Sequence, residues 1–208
     1  MKTRVFAIVL CALLLIGSAA YASPVENGVD AYSWDSAPMQ VSIPQPKRLI
    51  GYVETEIGRA KTYYETYASQ YNRNENMRLA TEAINGTVLE PGEVFSYNQT
   101  VGPRTAERGF KQATIFVGKE KVPGYGGGIC QISSTLYMAT KKTNLQIVER
   151  HAHSLPVTYC SRDDEATVSW GYLDYRFKNK LDIPVRIEAS MGGGICNIAI
   201  FAMTPVYE

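Results

Sequence analysis

An α+β fold is the class this sequence predicts, and three observations predict it. Ile129, Ile132, Leu136 and Ala139 recur at three- and four-residue intervals, the spacing of one helical face. The segments after residue 143 instead alternate apolar and polar residues, as half-buried strands do. Turn signals such as Pro91-Gly92 and Gly192 to Gly194 separate short strand-like runs at hairpin distances. The expected architecture is N-terminal helices, then a central helix starting at Cys130 packed on a mainly antiparallel β-sheet.

In chain order, the first residues are read as a leader. Lys2 and Arg4 precede an unbroken apolar run from Val5 to Ile16, and Ala20-Tyr21-Ala22 supplies the small residues a signal peptidase reads. Residues 1–22 are therefore expected to be a signal peptide, cleaved before Ser23, with an uncleaved anchor as the alternative. The apolar run has twelve residues, where a spanning helix needs about twenty, so no stable membrane span is expected after cleavage. Residues 23–50, with Pro24, Pro38, Pro44 and Pro46, read as an extended arm or linker, and 51–208 as a single domain. The protein is expected to be secreted or held in the cell envelope.

Gly51 to Tyr71 carries Tyr63, Tyr64, Tyr67 and Tyr71 at mixed helical spacings, which predicts a helix. Asn72 to Asn74 interrupts it and caps a second, in which Met77, Leu79, Ala80, Ala83 and Ile84 are apolar and which Asn85-Gly86 stops. Strands are expected over Val94 to Tyr97, Ala113 to Val117, Leu145 to Arg150, Ala166 to Trp170, Tyr172 to Phe177, Pro184 to Ala189 and Ile195 to Met203. Pro123 to Gly128 reads as loop, and Ile129 to about Lys142 as the central helix.

Charge excludes more than it selects. The formal net charge of +1 drops to −1 without Lys2 and Arg4, and no run of Lys or Arg suggests nucleic acid. Export leads to a disulfide-permissive compartment, and Cys130, Cys160 and Cys196 are an odd number. Cys160 and Cys196 are the pair expected to join, if any do, leaving Cys130 free.

Candidate chemistry gathers at the glycine-rich stretch that ends in Cys130. A cysteine in the first turn of a helix lies beside unpaired N–H groups and the positive end of the dipole, which favours a thiolate. Gly126, Gly127 and Gly128 either serve a turn or let a substrate approach and expose N–H donors. No Lys-Ser or Lys-Thr follows them, so they are not a phosphate loop. Gln131 and Ser133 adjoin the thiol as candidate oxyanion donors. His151 and His153, the chain's two histidines, lie two apart on an extended segment and should face one side. Zinc wants three or four ligands and none accompany them at ligand spacing, so a base for Cys130 is the better reading, with no metal or other cofactor expected. Asp174, an acid within an aromatic strand-like segment, is the candidate orienter, whereas Asp163, Asp164 and Glu165 read as a solvated turn. The bland alternatives, a small buried cysteine and two ordinary histidines, stay open.

These residues also carry a resemblance. Pro91-Gly92-Glu93-Val94-Phe95-Ser96, Val101-Gly102-Pro103-Arg104, Gly126 to Tyr137, Glu149 to Val157, Ala166 to Ser169, Asp174 and Phe177-Lys178-Asn179 together resemble the VanW family over about Tyr71 to Ile187. The resemblance implies a bacterial cell-envelope setting and an accessory place beside antibiotic resistance, rather than a reaction. The order Cys130, His153, Asp174 is similar to the Cys–His–Asp layout of transglutaminase-like and papain-like folds. That analogy implies amide hydrolysis or acyl transfer on peptidoglycan stem peptides. A non-catalytic module that binds or scaffolds wall components is the alternative.

Overall fold

The computed structural model describes residues 47–208; the expected signal peptide and most of the expected arm lie outside the described residues. The first described element is β1 (Leu49–Tyr63), which replaces the helix expected from Gly51 onward. The reason lies in which residues it buries. Gly58, Ala60 and Thr62 face inward in alternation, so the buried face is built from small residues that a hydrophobicity pattern does not flag. Of the tyrosines that suggested a helix, Tyr63, Tyr67 and Tyr71 are exposed, and Tyr64 is half-buried against the core. Pairing with the C-terminal strand decides the conformation, as non-local context commonly does for strands.

One N-terminal helix follows, α1 (Tyr71–Ile84). Asn72 and Asn74 do not interrupt it. Their amides reach sideways to the carbonyls of Gln112 and Glu65. Its buried face holds Asn76, Met77, Ala80, Thr81 and Ile84, and Gly86 turns the chain at φ 79° as expected. Next come β2 (Val88–Leu89), β3 (Val94–Ser96), the single-turn α2 (Tyr97–Val101), β4 (Gln112–Val117) and β5 (Glu120–Tyr125). The β4–β5 pair is a hairpin whose turn contains Gly118, so the expected loop begins only after Tyr125. The central helix α3 (Ile129–Thr140) then stands where the periodicity put it.

The remaining strands are β6 (Gln146–Glu149), β7 (Arg176–Lys178), β8 (Val185–Gly192) and β9 (Ile195–Tyr207). They form an antiparallel sheet in the order β1-β9-β8-β2 and a second in the order β3-β7-β6. The α+β class therefore holds, with an antiparallel character throughout the described strands. Helix α3 lies against β1 and β9. Its apolar side, Ile132 and Leu136, is fully buried, and Thr135 shares a 2.7 Å hydrogen bond with Thr62 of β1. Burying each such aliphatic side chain contributes about 1.5–3 kcal/mol. Among the described residues no helix is long and apolar enough to cross a membrane.

Residues 166–170 are not a strand. Ala166 and Val168 are buried in alternation as expected, but their backbone groups meet side chains of α3. Ala166 N–H donates to Ser134 Oγ, Ser133 Oγ donates to the Ala166 carbonyl, and the Cys130 thiol donates to the Val168 carbonyl at 3.5 Å. A period of two marks burial; it does not say which partner satisfies the backbone. Downstream, the Trp170-Gly171-Tyr172 turn is closed by a single bridge between Ser169 and Leu173, and only Arg176–Lys178 pairs as strand.

Candidate functional site

The α1 N-terminus, the β4–β5 hairpin, the glycine loop and segments 152–159 and 167–173 enclose a groove of about 1070 Å³. Cys130 is on its floor, and Gly126, Gly127, Gly128 and His153 line it. The floor is fixed by Asn76, which is fully buried on α1. Its amide donates to the carbonyls of Lys111 and Gly127, and its oxygen accepts from Lys111 N–H. A Cβ on Gly127 would stand 2.5 Å from the Thr114 carbonyl oxygen, so the loop lies against β4 only because that residue is glycine. Gly128 holds φ 105° immediately before α3, in the left-handed region that favours glycine.

Several expected roles are corrected by this geometry. Gln131 is almost fully buried and does not face a ligand as a donor. Its amide donates to Thr62 Oγ1 and the Tyr63 carbonyl, and its oxygen accepts from Arg73 at 2.7 Å. Ser133 is buried and donates to the Cys130 and Ala166 carbonyls. The Ile129 and Gln131 N–H groups already donate to the Gly126 and Gly128 carbonyls. Cys160 and Cys196 are not joined; all three cysteines among the described residues are free. Cys196 is fully buried beside Thr62 and Thr135, whereas Cys160 lies beside Ser134 and Glu165. Consecutive helix positions point about 100° apart, so the two thiols meet different sides of α3. Burial pushes each of them up to about 11.

The histidines do not share a face. His151 Nε2 meets Glu149 Oε1 at 2.9 Å and is partly exposed. His153 is buried in the groove wall. Its backbone N–H donates to Glu165 Oε2 at 2.7 Å, and its Nδ1 lies 3.4 Å from the same oxygen, just outside good hydrogen-bond geometry. Nε2 is 3.2 Å from the Tyr159 hydroxyl. Burial lowers the His153 pKa more than Glu165 raises it, so the imidazole rests neutral.

Asp174 does not orient His153. Its oxygens accept from Ser96 Oγ and from the N–H groups of Asn98 and Tyr175, which ties β7's approach to the start of α2. The acid facing His153 is Glu165, which is only 2% exposed and therefore not part of a solvated turn.

Two arginines complete the floor, and neither is among the candidate site residues expected from sequence. Arg73 donates to Gln131 and to the Met77 sulfur. Arg104 donates to the Gly102 carbonyl, and its guanidinium lies 5.8 Å from the ring centres of both Tyr97 and Trp170. Neither has a carboxylate within 4 Å among the described residues. Their stems pass over the glycines: a Cβ on Gly126 would meet Arg104, and one on Gly128 would meet Arg73. An arginine has no periodic signature, so only its missing partner marks it, and that is visible only in three dimensions.

Both guanidinium groups pull the Cys130 pKa down, yet burial pushes it up more strongly, with a net rise above the ordinary thiol value. Burial thus works against the thiolate that a helix start favours. Alkylation of Cys130 by iodoacetamide, followed by peptide mapping, is expected to be slower at pH 7 than that of free cysteine and to keep climbing through the alkaline range. A plateau near neutrality would contradict this.

Comparison with known proteins follows the same residues. The family model described as VanW like protein matches residues 72–201, which hold the groove's glycine loop, Cys130, His153 and both arginines. The chain is 39% identical over 180 residues to the uncharacterized protein YoaR of Bacillus subtilis (strain 168), covering 83% of this chain and 59% of that protein. It is 29% identical over 123 residues to the vancomycin B-type resistance protein VanW of Enterococcus faecalis (strain ATCC 700802 / V583), covering 57% of this chain and 45% of that protein. The chain thus spans less than two thirds of the length of either relative. No solved structure matches it. With residues 72–201, more than half of its length, matched by the family model, this chain belongs to the VanW-like family.

Proposed function

We propose that this chain is an exported cell-envelope protein that uses Cys130 for amide hydrolysis or acyl transfer on peptidoglycan stem peptides. The observation that carries the reading is the placement of a free thiol at the start of α3 on the lining of a large groove that it shares with Arg73 and Arg104, neither of which has a carboxylate partner among the described residues. His153, backed by Glu165, is the base, and the Tyr159 hydroxyl at its Nε2 relays the proton. Tyr159 is also an electrostatic neighbour of Cys130. In acylation the thiol proton passes through Tyr159 to His153 and sulfur bonds to the amide carbonyl carbon. The C–N bond then breaks and the amine leaves with that proton. Water or a second amine attacks the thioester and gives its proton to His153, the C–S bond breaks, and the departing sulfur takes that proton back through Tyr159, which restores the thiol and the neutral imidazole.

Intact-protein mass spectrometry after incubation with a stem tetrapeptide tests this. An acyl adduct on the wild type, absent from Cys130→Ala, is the expected result. No adduct at any pH between 6 and 10 would overturn the reading.

One observation favours a second reading, a wall-binding module without catalysis: the thiol donates to the Val168 carbonyl and burial keeps it protonated. On that reading Cys130→Ala binds wall peptide as well as the wild type does, and the wild type forms no adduct.

A further inference from the structure

Arg104 is held in an unusual state for a charged group. Its Nε and one terminal nitrogen are buried with no hydrogen-bond partner. The guanidinium lies 5.8 Å from the centres of both the fully buried Tyr97 ring and the Trp170 ring, which belongs to a residue 47% exposed. Leaving charged donors unpaired away from water is costly. The nearest acid that bears on it, Asp174, already spends both oxygens on Ser96, Asn98 and Tyr175. The two orphan nitrogens form one edge of the guanidinium, the fork that a carboxylate fills with two parallel hydrogen bonds. Arg73 adds a second positive charge on the same floor, fixed there by its bond to Gln131.

We infer that Arg104 is the subsite for the terminal carboxylate of a peptide lying in the groove, with Arg73 reinforcing the charge beside Cys130. This rests on the reading of the groove as a wall-peptide site and names which end of the peptide it grips. The planar fork matches a carboxylate, and the aromatic walls Phe116, Tyr125 and Trp170 suit a peptide better than a small inorganic anion. Trp170 packs its ring against the guanidinium from an exposed turn that also carries the 87% exposed Tyr172. The carboxylate reaches the fork as the indole shifts, so binding is reported by Trp170 itself.

The experiment uses the chain carrying Cys130→Ala, which separates binding from chemistry, and Trp34→Phe, which leaves Trp170 as the remaining tryptophan. Fluorescence is titrated with the tetrapeptide L-Ala-D-Glu-L-Lys-D-Ala, with its C-terminal amide, and with inorganic phosphate. Both peptides keep the glutamyl carboxylate, so the comparison isolates the terminal one. The acid is expected to bind about tenfold or more tightly than the amide. In Arg104→Gln the ratio falls to about one, and Arg104→Lys, which keeps charge without the fork, retains part of it. Thermal melts of both variants establish that the protein is folded. Equal affinity for acid and amide overturns the inference. So do a preference that survives Arg104→Gln, phosphate competing as well as the acid, or no saturable response to the acid. An acid preference without any acyl adduct on the wild type removes the nucleophile reading and leaves the subsite. An adduct without an acid preference removes the subsite alone.

Discussion

Replacing Asn76 by leucine is expected to lower the stability of the fold by about 3–5 kcal/mol, because it strands the Lys111 N–H and the carbonyls of Lys111 and Gly127 together. For a domain of this size that is a fall in Tm on the order of 10 °C. Leucine keeps the branched shape and is larger than asparagine, so no cavity opens, and the loss reports the unpaired backbone groups together with crowding by the added volume. The effect reaches the groove as well. The Asn76 amide holds the Gly127 carbonyl against α1, and Gly127 in turn lies against the Thr114 carbonyl. Releasing it loosens the turn that aims Cys130. A calorimetric or circular dichroism melt reads the stability, and Cys130 alkylation in the folded variant reads the loop. A Tm within about 2 °C of the wild type would show that these three hydrogen bonds are replaceable.

That asparagine also illustrates what the sequence does and does not disclose. The α1 pattern was legible from Met77, Ala80 and Ile84, which are all fully buried. Asn76 beside them carries no such signal, because a buried hydrogen-bonding hub has no spacing of its own. The same holds for β1, whose buried Gly58, Ala60 and Thr62 carry little hydropathy, so exposed tyrosines dominated the reading. Where apolar periodicity and turn chemistry agreed, the elements came out in place: α3 from Ile129, Ile132 and Leu136, and the β8–β9 hairpin around Gly193. At the groove, Cys130 and the glycines were legible because residue type and local order announce them. Arg73, Arg104 and Glu165 were not, because their meaning lies in partners from other elements, or in the absence of one.

Glu165 and Asp174 separate the two accounts of the base most sharply. On the proposed chemistry, Glu165→Gln is expected to slow acyl-enzyme formation by about 10²-fold or more, since the neutral amide no longer stabilises an imidazolium at His153. The residue is nearly isosteric and its oxygen still accepts the His153 backbone N–H, so most of the fold's stability is retained. Asp174→Asn is expected to do the reverse. Its carboxylate accepts three hydrogen bonds at the start of α2, from Ser96, Asn98 and Tyr175, and an amide cannot serve all of them with both ends. Stability falls by about 1–3 kcal/mol while the folded fraction acylates at nearly the wild-type rate. The pH profile adds a second discriminator. Glu165 raises the His153 pKa against the burial that lowers it, so removing its charge moves the acidic limb of the rate profile to lower pH, whereas Asp174→Asn leaves that limb in place. Measuring adduct formation by rapid quench and mass spectrometry from pH 5 to 9, alongside urea melts, tests both variants. Rate loss in Asp174→Asn with an unaltered Glu165→Gln would return the orienting role to Asp174 and remove the His153–Glu165 base.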